Sequence, residues 1–237
     1  MEPSPPEARE LRFVVPLLAH EASYFAASAR IASFLLSSML PGKVRPPAAF
    51  GCGGELLYVR MNSVETPRLI LRDFAPADLD RVAELCANDG FMQFSAKGPL
   101  TRAEAETLFE RIHVRTRCGE PTQFAVITRE TQELIGYCGF FLQNVDGVDE
   151  IEIGYRLHPD WWGGGLATEA ARAVRDHAFG TLGLERVISI IHPGNLRSQR
   201  VAGKNGLTKE KATQFKGMEV WIYALTRPQW QAARAAE

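Results

Sequence analysis

Beyond Thr66, the chain follows two hydrophobic periods, one of two residues and one of about four. Polar and apolar residues alternate over Glu150–Tyr155, which predicts a strand with one buried face. From Leu166 to Ala178 an apolar residue recurs at every fourth position, which predicts a helix with one apolar face. The same patterns predict strands at 68–72, 124–128, 134–142, 150–157, 187–191, 207–213 and 218–225, and helices at 76–86, 101–117, 166–182 and just after 195. This order predicts one mixed α/β domain.

Local signals mark where three of these helices begin. Thr101 and Glu104 have the spacing of a capping box, in which each side chain satisfies a free backbone N–H of the first turn. Pro76 stands at a first turn, where its missing N–H costs little. Asn195 precedes the last short helix, and Asn is among the best N-caps. Gly203 within that helix costs about 1 kcal/mol relative to Ala, so we expect the helix to be weak.

Three consecutive glycines, Gly163–Gly165, separate the central strand from the helix that begins near Leu166. The first N–H groups of a helix lack partners and carry partial positive charge, and glycine leaves them accessible because it has no Cβ. This position predicts a phosphate-binding site, with a plain flexible turn as the alternative. The spacing fits neither a P-loop nor a dinucleotide fingerprint, which would need a third glycine where Thr168 stands.

The composition of the 237 residues excludes several classes of function. With 46% apolar and 23% charged residues, it is typical of a globular protein, and a net charge of −1 gives no bias towards nucleic acid or an anionic membrane. The four cysteines and five histidines show no metal-ligand spacing, so we expect no metal site. Reduced thiols, and therefore a cytoplasmic location, are expected.

Residues 1–60 differ from the rest and are interpreted as a flexible extension that precedes a domain at 61–237. The segment is Pro-rich at its start and rich in Ala, Ser and Leu over 17–40, where we expect a weak amphipathic helix. Charged residues interrupt this stretch, so it is not a predicted membrane span, and Glu2, Glu7 and Glu10 argue against a targeting peptide. A start of translation at Met61 is a hypothesis for this region.

Two motifs carry a resemblance to a known family. The run from Trp162 to Ala167, WGGGLA, resembles the acyl-CoA loop Gln/Arg-x-x-Gly-x-Gly/Ala of the GCN5-related N-acetyltransferases (GNAT), with Trp at the first position. The segment from Asn195 to Leu207 is similar to N-x-x-S-x-x-V-L-E-K-L-G-F of the RimJ/RimL-like branch, which acetylates ribosomal-protein N-termini. The segment departs from that pattern at Ala202, Gly203 and Asn205.

The resemblance extends from Thr66 to about Trp230 and implies a GNAT-like α/β fold, with a mixed, mostly antiparallel central sheet flanked by helices. It also implies that the strands at 150–157 and 187–191 splay apart, with the pantetheine arm of acetyl-CoA between them. The backbone of Tyr155 and Leu157 is then expected to pair with the pantetheine amides. The pyrophosphate is expected on the backbone N–H groups of Gly163, Gly164, Gly165, Leu166, Ala167 and Thr168.

Glu152 is the candidate general base for removing a proton from the acceptor amine. It lies on the central strand two residues before Gly154, and desolvation beside an acyl-CoA cleft would raise its pKa. A carboxylate that points into solvent on an open face is the alternative. Three further acidic residues form a local cluster with it, which would either attract a cationic amine or remain a solvated loop: Asp146, Asp149 and Glu150.

The proton donor for the thiolate leaving group is less obvious, because Ala202 stands where many relatives carry a tyrosine. Ser198 is the candidate donor, and Asn195 is the candidate for holding pantetheine or the attacking amine. A polar residue on the first turn and a helix cap are the respective alternatives. Three basic residues either reach the ribose phosphate of CoA or form a solvated helix face: Arg197, Arg200 and Lys204.

Together these residues predict an acetyl-CoA-dependent N-acetyltransferase in which a primary amine attacks the thioester directly, since no cysteine lies in either motif. The acceptor is a protein N-terminus or a small-molecule amine such as an antibiotic, a polyamine or an amino acid, chosen by the loops at 88–100 and 143–149. An acyl-CoA-binding module without turnover is the alternative. Both a monomer and a homodimer are compatible with the sequence.

Overall fold

The structure, a computed structural model, describes residues 63–120 and 122–235. The extension expected at 1–60, its amphipathic helix and the hypothesis of a start at Met61 lie outside the described residues. Within the described ranges, no helix has the length and apolar character needed to cross a membrane.

A single mixed sheet forms the centre of the described part of the chain. Its strands are β1 (Val64–Glu65), β2 (Leu69–Arg72), β3 (Gln123–Thr128), β4 (Leu134–Val145), β5 (Val148–Leu157), β6 (Arg186–Ile191), β7 (Thr208–Phe215) and β8 (Met218–Thr226). They lie in the order β1-β2-β3-β4-β5-β6-β8-β7. Only β5 and β6 are parallel neighbours among these strands. The predicted mostly antiparallel sheet is confirmed.

The helices of the described residues are α1 (Leu79–Ala87), α2 (Asp89–Met92), α3 (Arg102–Arg117), α4 (Leu166–Gly180), α5 (Leu196–Lys204) and α6 (Arg227–Ala235). The predicted capping box forms at α3, where the Thr101 N–H donates to Glu104 at 2.8 Å. The prediction of one helix at 76–86 is wrong at its start, because Pro76–Asp78 forms a separate 3-10 turn. There the Asp78 carboxylate binds Arg72 at 2.6 Å. Neither α2 nor α6 was predicted.

Helices cover both faces of the sheet. On one face, α1, α2 and α3 pack against β2, β3 and β4 through a cluster that includes Phe74, Val82, Leu85, Phe91, Phe109, Ala125 and Ile127. On the other face, α4 buries the stripe that the four-residue spacing predicts, since Leu166, Ala170, Val174 and Ala178 are each at most 9% exposed. Removal of these apolar faces from water, more than helix propensity, stabilises the helices.

The sheet is almost interrupted between β5 and β6. These strands share one paired position, Glu152 with Ile188, whereas β4 and β5 pair along the whole of β5. Just beyond that position, the Ser189 hydroxyl donates to the Ile153 carbonyl at 2.8 Å, so a side chain takes the place of a backbone hydrogen bond. The splayed central strand pair is therefore present.

His177 lies on α4 against the sheet. Its Nε2 is buried without a hydrogen-bond partner among the described residues, and its ring centre lies 6.5 Å from that of Phe140. Burial lowers the pKa of this imidazole in the folded protein. Below the ordinary histidine pKa of about 6.5, the unfolded chain therefore binds more protons than the folded one. This residue makes the protein less stable as the pH falls through that range.

Replacing His177 by Leu is expected to weaken this acid dependence, because the substituted side chain cannot take up a proton on unfolding. Urea unfolding between about pH 8 and pH 5.5 should show a smaller fall in the free energy of unfolding than in the parent protein. An unchanged pH dependence in His177→Leu would contradict this assignment.

Candidate active site

The gap between β5 and β6 exposes main-chain groups of β5. Successive residues of an antiparallel strand point their N–H and C=O groups to opposite sides. The Ile153 carbonyl faces β6, because it accepts the Ser189 hydroxyl, and Tyr155 and Leu157 share its orientation. The Leu157 carbonyl, however, accepts the Trp162 indole N–H at 2.8 Å. Of the two residues expected to pair with pantetheine, Tyr155 thus presents its carbonyl to the gap, whereas the carbonyl of Leu157 is engaged.

The three glycines form an open loop at the start of α4. Gly163 and Gly165 have φ angles of 85° and 80°, in the left-handed region that favours glycine. A Cβ placed on Gly163 or Gly164 would meet no atom within 4 Å, so both positions face open space. The first intrahelical bond runs from the Glu169 N–H to the Gly165 carbonyl at 3.1 Å. The loop and first turn of the helix bring together all of the predicted phosphate-binding residues: Gly163, Gly164, Gly165, Leu166, Ala167 and Thr168.

Arg68, the residue immediately before β2, holds this loop through its side chain. Its Nη1 donates to the Gly164 carbonyl at 2.8 Å, and its Nε donates to Glu169 Oε2 at 2.7 Å. The other oxygen of Glu169 accepts the Thr66 hydroxyl at 2.6 Å and the Arg68 backbone N–H at 2.9 Å. Burial alone would raise the pKa of Glu169, but the hydrogen bonds from Thr66 and Arg68 hold it below its ordinary value. The glycine loop is therefore anchored by charge to a distant strand.

The contact with Arg68 has a directional effect on the loop. The C=O and N–H groups of a trans peptide point in opposite directions. Because the Gly164 carbonyl points towards Arg68, the N–H of Gly165 points to the opposite side. Sequence reasoning did not assign a role to Arg68, since no local pattern links it to a loop 96 residues away.

Glu152 sits in an enclosed position where β5 and β6 meet. The residue is half-buried, and its Oε2 accepts a hydrogen bond from Gln143 Nε2 at 2.8 Å. Burial raises the pKa of this carboxyl group, against the opposing effects of hydrogen bonds from Gln143 and the Ile190 backbone and the charges of Lys216 and Arg156. The alternative of a carboxylate pointing freely into solvent does not fit these contacts.

The other members of the acidic cluster are engaged elsewhere. Glu150 binds Arg186 at 3.1 Å, and Asp146 binds Lys211 at 2.7 Å. Asp149 accepts a hydrogen bond from the side chain of Asn144 at 2.7 Å. These partners neutralise or satisfy the neighbouring carboxylates, so the cluster does not act as one anionic surface.

Asn195 and Ser198 lie at the start of α5, on the β6 side of the gap. The Asn195 Oδ1 accepts the Ser198 backbone N–H at 3.1 Å, which is the predicted N-cap. The helix extends from Leu196 to Lys204 and includes Gly203, and the Asn205 side chain closes its end by donating to the Val201 carbonyl at 3.0 Å. Both residues are therefore held by the helix start, next to the cleft.

The phenol of Tyr155 joins the two sides of the cleft. It donates to the Ser198 carbonyl at 3.0 Å, across the gap between β5 and α5. Burial raises the pKa of this phenol, although the contact with Ser198 opposes the rise, so the group stays protonated at neutral pH. Sequence reasoning considered only the backbone of Tyr155 and missed this contact of its side chain. An aromatic residue next to Gly154 was the available signal.

The three basic residues of α5 have different surroundings. The Arg197 guanidinium lies 4.5 Å from the centre of the Trp162 ring, in a cation–π contact between α5 and the glycine loop. Arg200 and Lys204 are exposed. Trp162, at the first position of the loop motif, therefore both binds the Leu157 carbonyl and supports Arg197.

The loop after α2 approaches the end of β6. The Phe94 ring, 38% exposed, lies 5.7 Å from the His192 ring. The predicted acceptor loop at 88–100 thus reaches the β6 side of the cleft. The other predicted loop, at 143–149, contacts β7 through Asp146, which binds both Lys211 and Thr213.

Comparisons with known proteins agree with this architecture. The profile of the acetyltransferase (GNAT) domain matches residues 68–208. YnaD of Bacillus subtilis (strain 168), an uncharacterized N-acetyltransferase, is 30% identical over 173 residues, which cover 70% of this chain and 98% of YnaD.

Solved structures show the same fold. The acetyltransferase from Agrobacterium tumefaciens str. C58 is 28% identical with a TM-score of 0.60, over 73% of this chain and 99% of that one. RimL, a ribosomal L7/L12 alpha-N-protein acetyltransferase solved with coenzyme A, is 18% identical with a TM-score of 0.59, over 70% of this chain and 98% of that one.

Proposed function

This chain belongs to the GNAT acetyltransferase family and is an N-acetyltransferase, and from that premise we propose that it transfers the acetyl group of acetyl-CoA to a primary amine by direct attack, with Glu152 as general base. The observation that carries the proposal is the position of Glu152. Its enclosed carboxyl group, with a raised pKa, lies at the single pair where β5 and β6 meet, beside the gap that leads to the glycine loop.

The donor is held mainly by backbone groups in this proposal. The N–H groups from Gly163 to Thr168 bind the pyrophosphate, helped by the partial positive charge at the start of α4. The backbone of Tyr155 pairs with a pantetheine amide, as an added strand would. Leu157 contributes less than the sequence implied, because its carbonyl is bound to Trp162.

Two protons move during the reaction. Glu152 takes one from the amine, directly or through a water, as its nitrogen attacks the thioester carbonyl carbon. The carbon–sulfur bond breaks, and the thiolate takes a proton from Ser198 or from the Tyr155 phenol, whose hydrogen-bond partner is the Ser198 carbonyl. Asn195 positions this start of α5 through its cap. Burial, which raises the pKa of the Tyr155 phenol, keeps this group protonated before the thiolate forms.

Direct attack is supported by the state of the two buried cysteines, Cys86 and Cys138. Burial raises the pKa of Cys86 to about 11 and raises that of Cys138 as well. A nucleophilic cysteine needs thiolate character and access, and these two residues have neither. Transfer through an acyl-enzyme on Cys86 or Cys138 is therefore disfavoured.

For the acceptor we propose a protein N-terminus, in line with the RimJ/RimL-like motif from Asn195 to Leu207. The fold-level likeness to RimL is consistent with this choice. A binding module without turnover is the second candidate, favoured by one observation. Ala202, buried at 2% exposure, stands where many relatives carry a tyrosine.

The test measures CoA release from acetyl-CoA with a panel of N-terminal peptides, polyamines, aminoglycosides and amino acids. We expect at least one class of amine to accelerate CoA release, and a product heavier by one acetyl group in the mass spectrum. Binding of acetyl-CoA without acceleration by any amine would support the binding module and remove Glu152 as a base.

A further inference from the structure

Arg156 is a charged residue that the proposed reaction does not use. It lies on β5, on the same face as Glu152 and Gly154, and it is half-buried. Within residues 63–120 and 122–235, no carboxylate lies within ion-pair distance of its guanidinium. Its hydrogen bond runs to the Met92 sulfur at 2.8 Å, and a thioether is a weak acceptor.

This situation separates Arg156 from the other described arginines. Most of them bind a carboxylate, as Arg68, Arg72 and Arg186 do. The arginines without such a partner are exposed to water: Arg111, Arg172, Arg197, Arg200 and Arg234. A guanidinium that is partly withdrawn from water is costly unless an anion accompanies it. Among the described residues, Arg156 is therefore a partly buried arginine without an ion-pair partner.

The surroundings of Arg156 place it in the acceptor half of the cleft. Tyr137 is its neighbour across the β4–β5 pair, and Met92 belongs to α2, which leads into the predicted acceptor loop. Its charge opposes the rise in pKa that burial causes in Tyr137 and Glu152, so it lies near both groups. The guanidinium thus lies on the same face of β5 as the candidate base, close enough for its charge to act on that carboxyl group.

The residue between the two charges is a glycine. A Cβ on Gly154 would lie 2.7 Å from the Phe141 ring, so that ring covers the strand between Glu152 and Arg156. The two charged groups do not form an ion pair with each other. This face of β5 thus presents a carboxylate, an apolar ring and a guanidinium in succession.

We propose that Arg156 is a carboxylate-binding subsite, so that the acceptor is an amine with a carboxylate a few bonds away. This proposal rests on the proposed function, since it completes the acceptor side of the same site. The amine lies at Glu152, the connecting carbons lie over Phe141, and the carboxylate binds the planar, two-pronged guanidinium. Two sources share this chemistry, a free amino acid and a polypeptide that begins with Asp or Glu.

The test compares acceptors that differ only in the carboxylate. Peptides beginning with Glu or Asp are paired with otherwise identical peptides beginning with Gln or Asn, and free amino acids are paired with their α-amides. We expect the carboxylate member of the productive pair to have a kcat/KM about 10-fold or more above its neutral match, because a charged hydrogen bond is lost in the latter. The pair that shows the preference identifies the source.

Variants show whether Arg156 produces the preference. Arg156→Gln should raise KM for the carboxylate acceptor to that of its neutral match, leaving the neutral acceptor and the KM for acetyl-CoA unchanged. Arg156→Lys should keep part of the preference, and Arg172→Gln, which changes an exposed arginine on α4, should keep all of it.

Three outcomes would overturn the subsite. Equal use of both members of every pair would exclude it while leaving the transferase intact. An equal loss for both members in Arg156→Gln and Arg156→Lys would mean that the arginine is structural. No turnover with any amine would remove the proposed function and the subsite with it. If Arg156→Gln does not fold, the preference of the parent and of Arg156→Lys still decides.

Discussion

Replacing Glu152 by Gln is expected to lower kcat for acetyl transfer by about 10²–10⁴-fold, the usual contribution of a general base. The amide has nearly the same shape and can still accept the hydrogen bond from Gln143, so the cleft keeps its form. The dissociation constant for acetyl-CoA should therefore stay within about twofold of the parent value. Steady-state kinetics and calorimetric titration with acetyl-CoA in the absence of an amine measure the two quantities.

The pH profile gives an independent reading of the same residue. A base must be deprotonated to act, so kcat/KM should rise with pH through the pKa of Glu152, which burial places above that of an ordinary glutamate. This rise of kcat/KM with pH should be absent in Glu152→Gln. The matched control is Glu150→Gln, two residues away on the same face and bound to Arg186. Retention of more than about a third of kcat in Glu152→Gln would rule it out as the base.

Replacing Arg68 by Ala is expected to raise KM and the dissociation constant for acetyl-CoA by about 10- to 100-fold, the usual effect of losing hydrogen bonds made by a charged group. Without Arg68, the Gly164 carbonyl is free to turn, and the Gly165 N–H is no longer held towards the pyrophosphate. Arg68→Lys should be intermediate, because one ammonium group does not reproduce the fork that binds both Gly164 and Glu169.

A truncated acetyl donor shows whether Arg68 positions the loop that binds the pyrophosphate or supports the fold in general. S-acetyl-pantetheine lacks the pyrophosphate, so its kcat/KM should be the same in Arg68→Ala and in the parent. Arg117→Ala, which removes an exposed arginine bound to Glu110 on α3, should leave both donors unaffected. An equal loss of kcat/KM with acetyl-CoA and with S-acetyl-pantetheine would mean that Arg68 supports the fold and not the phosphate-binding loop.

The parts of the site that follow from neighbouring residues were accessible to sequence reasoning. The open glycine loop, the capping box at Thr101 and the Asn195 cap are set by the chemistry of a few consecutive residues. The apolar stripe of α4 follows from its period alone. These features need no information from the rest of the chain.

Contacts between distant segments could not be predicted in the same way. Arg68 and Glu169 are 101 residues apart, and no pattern in either segment predicts a contact with the other. Trp162 was recognised as a departure from the motif, but its bond to the Leu157 carbonyl depends on how the loop turns back on its own strand. The contact of the Arg156 guanidinium with the Met92 sulfur likewise depends on how α2 packs against β5 in the folded protein.

The almost interrupted pairing of β5 and β6 has a consequence for mutational scanning. If the donor is recognised there by the main chain of Tyr155, an alanine at that position keeps the amide that makes the contact. Substitution of side chains would then underestimate the importance of this strand, because proline alone among the standard residues removes the N–H. Recognition of this kind is encoded in the geometry of the sheet and not in residue identity, so it can persist while sequences diverge.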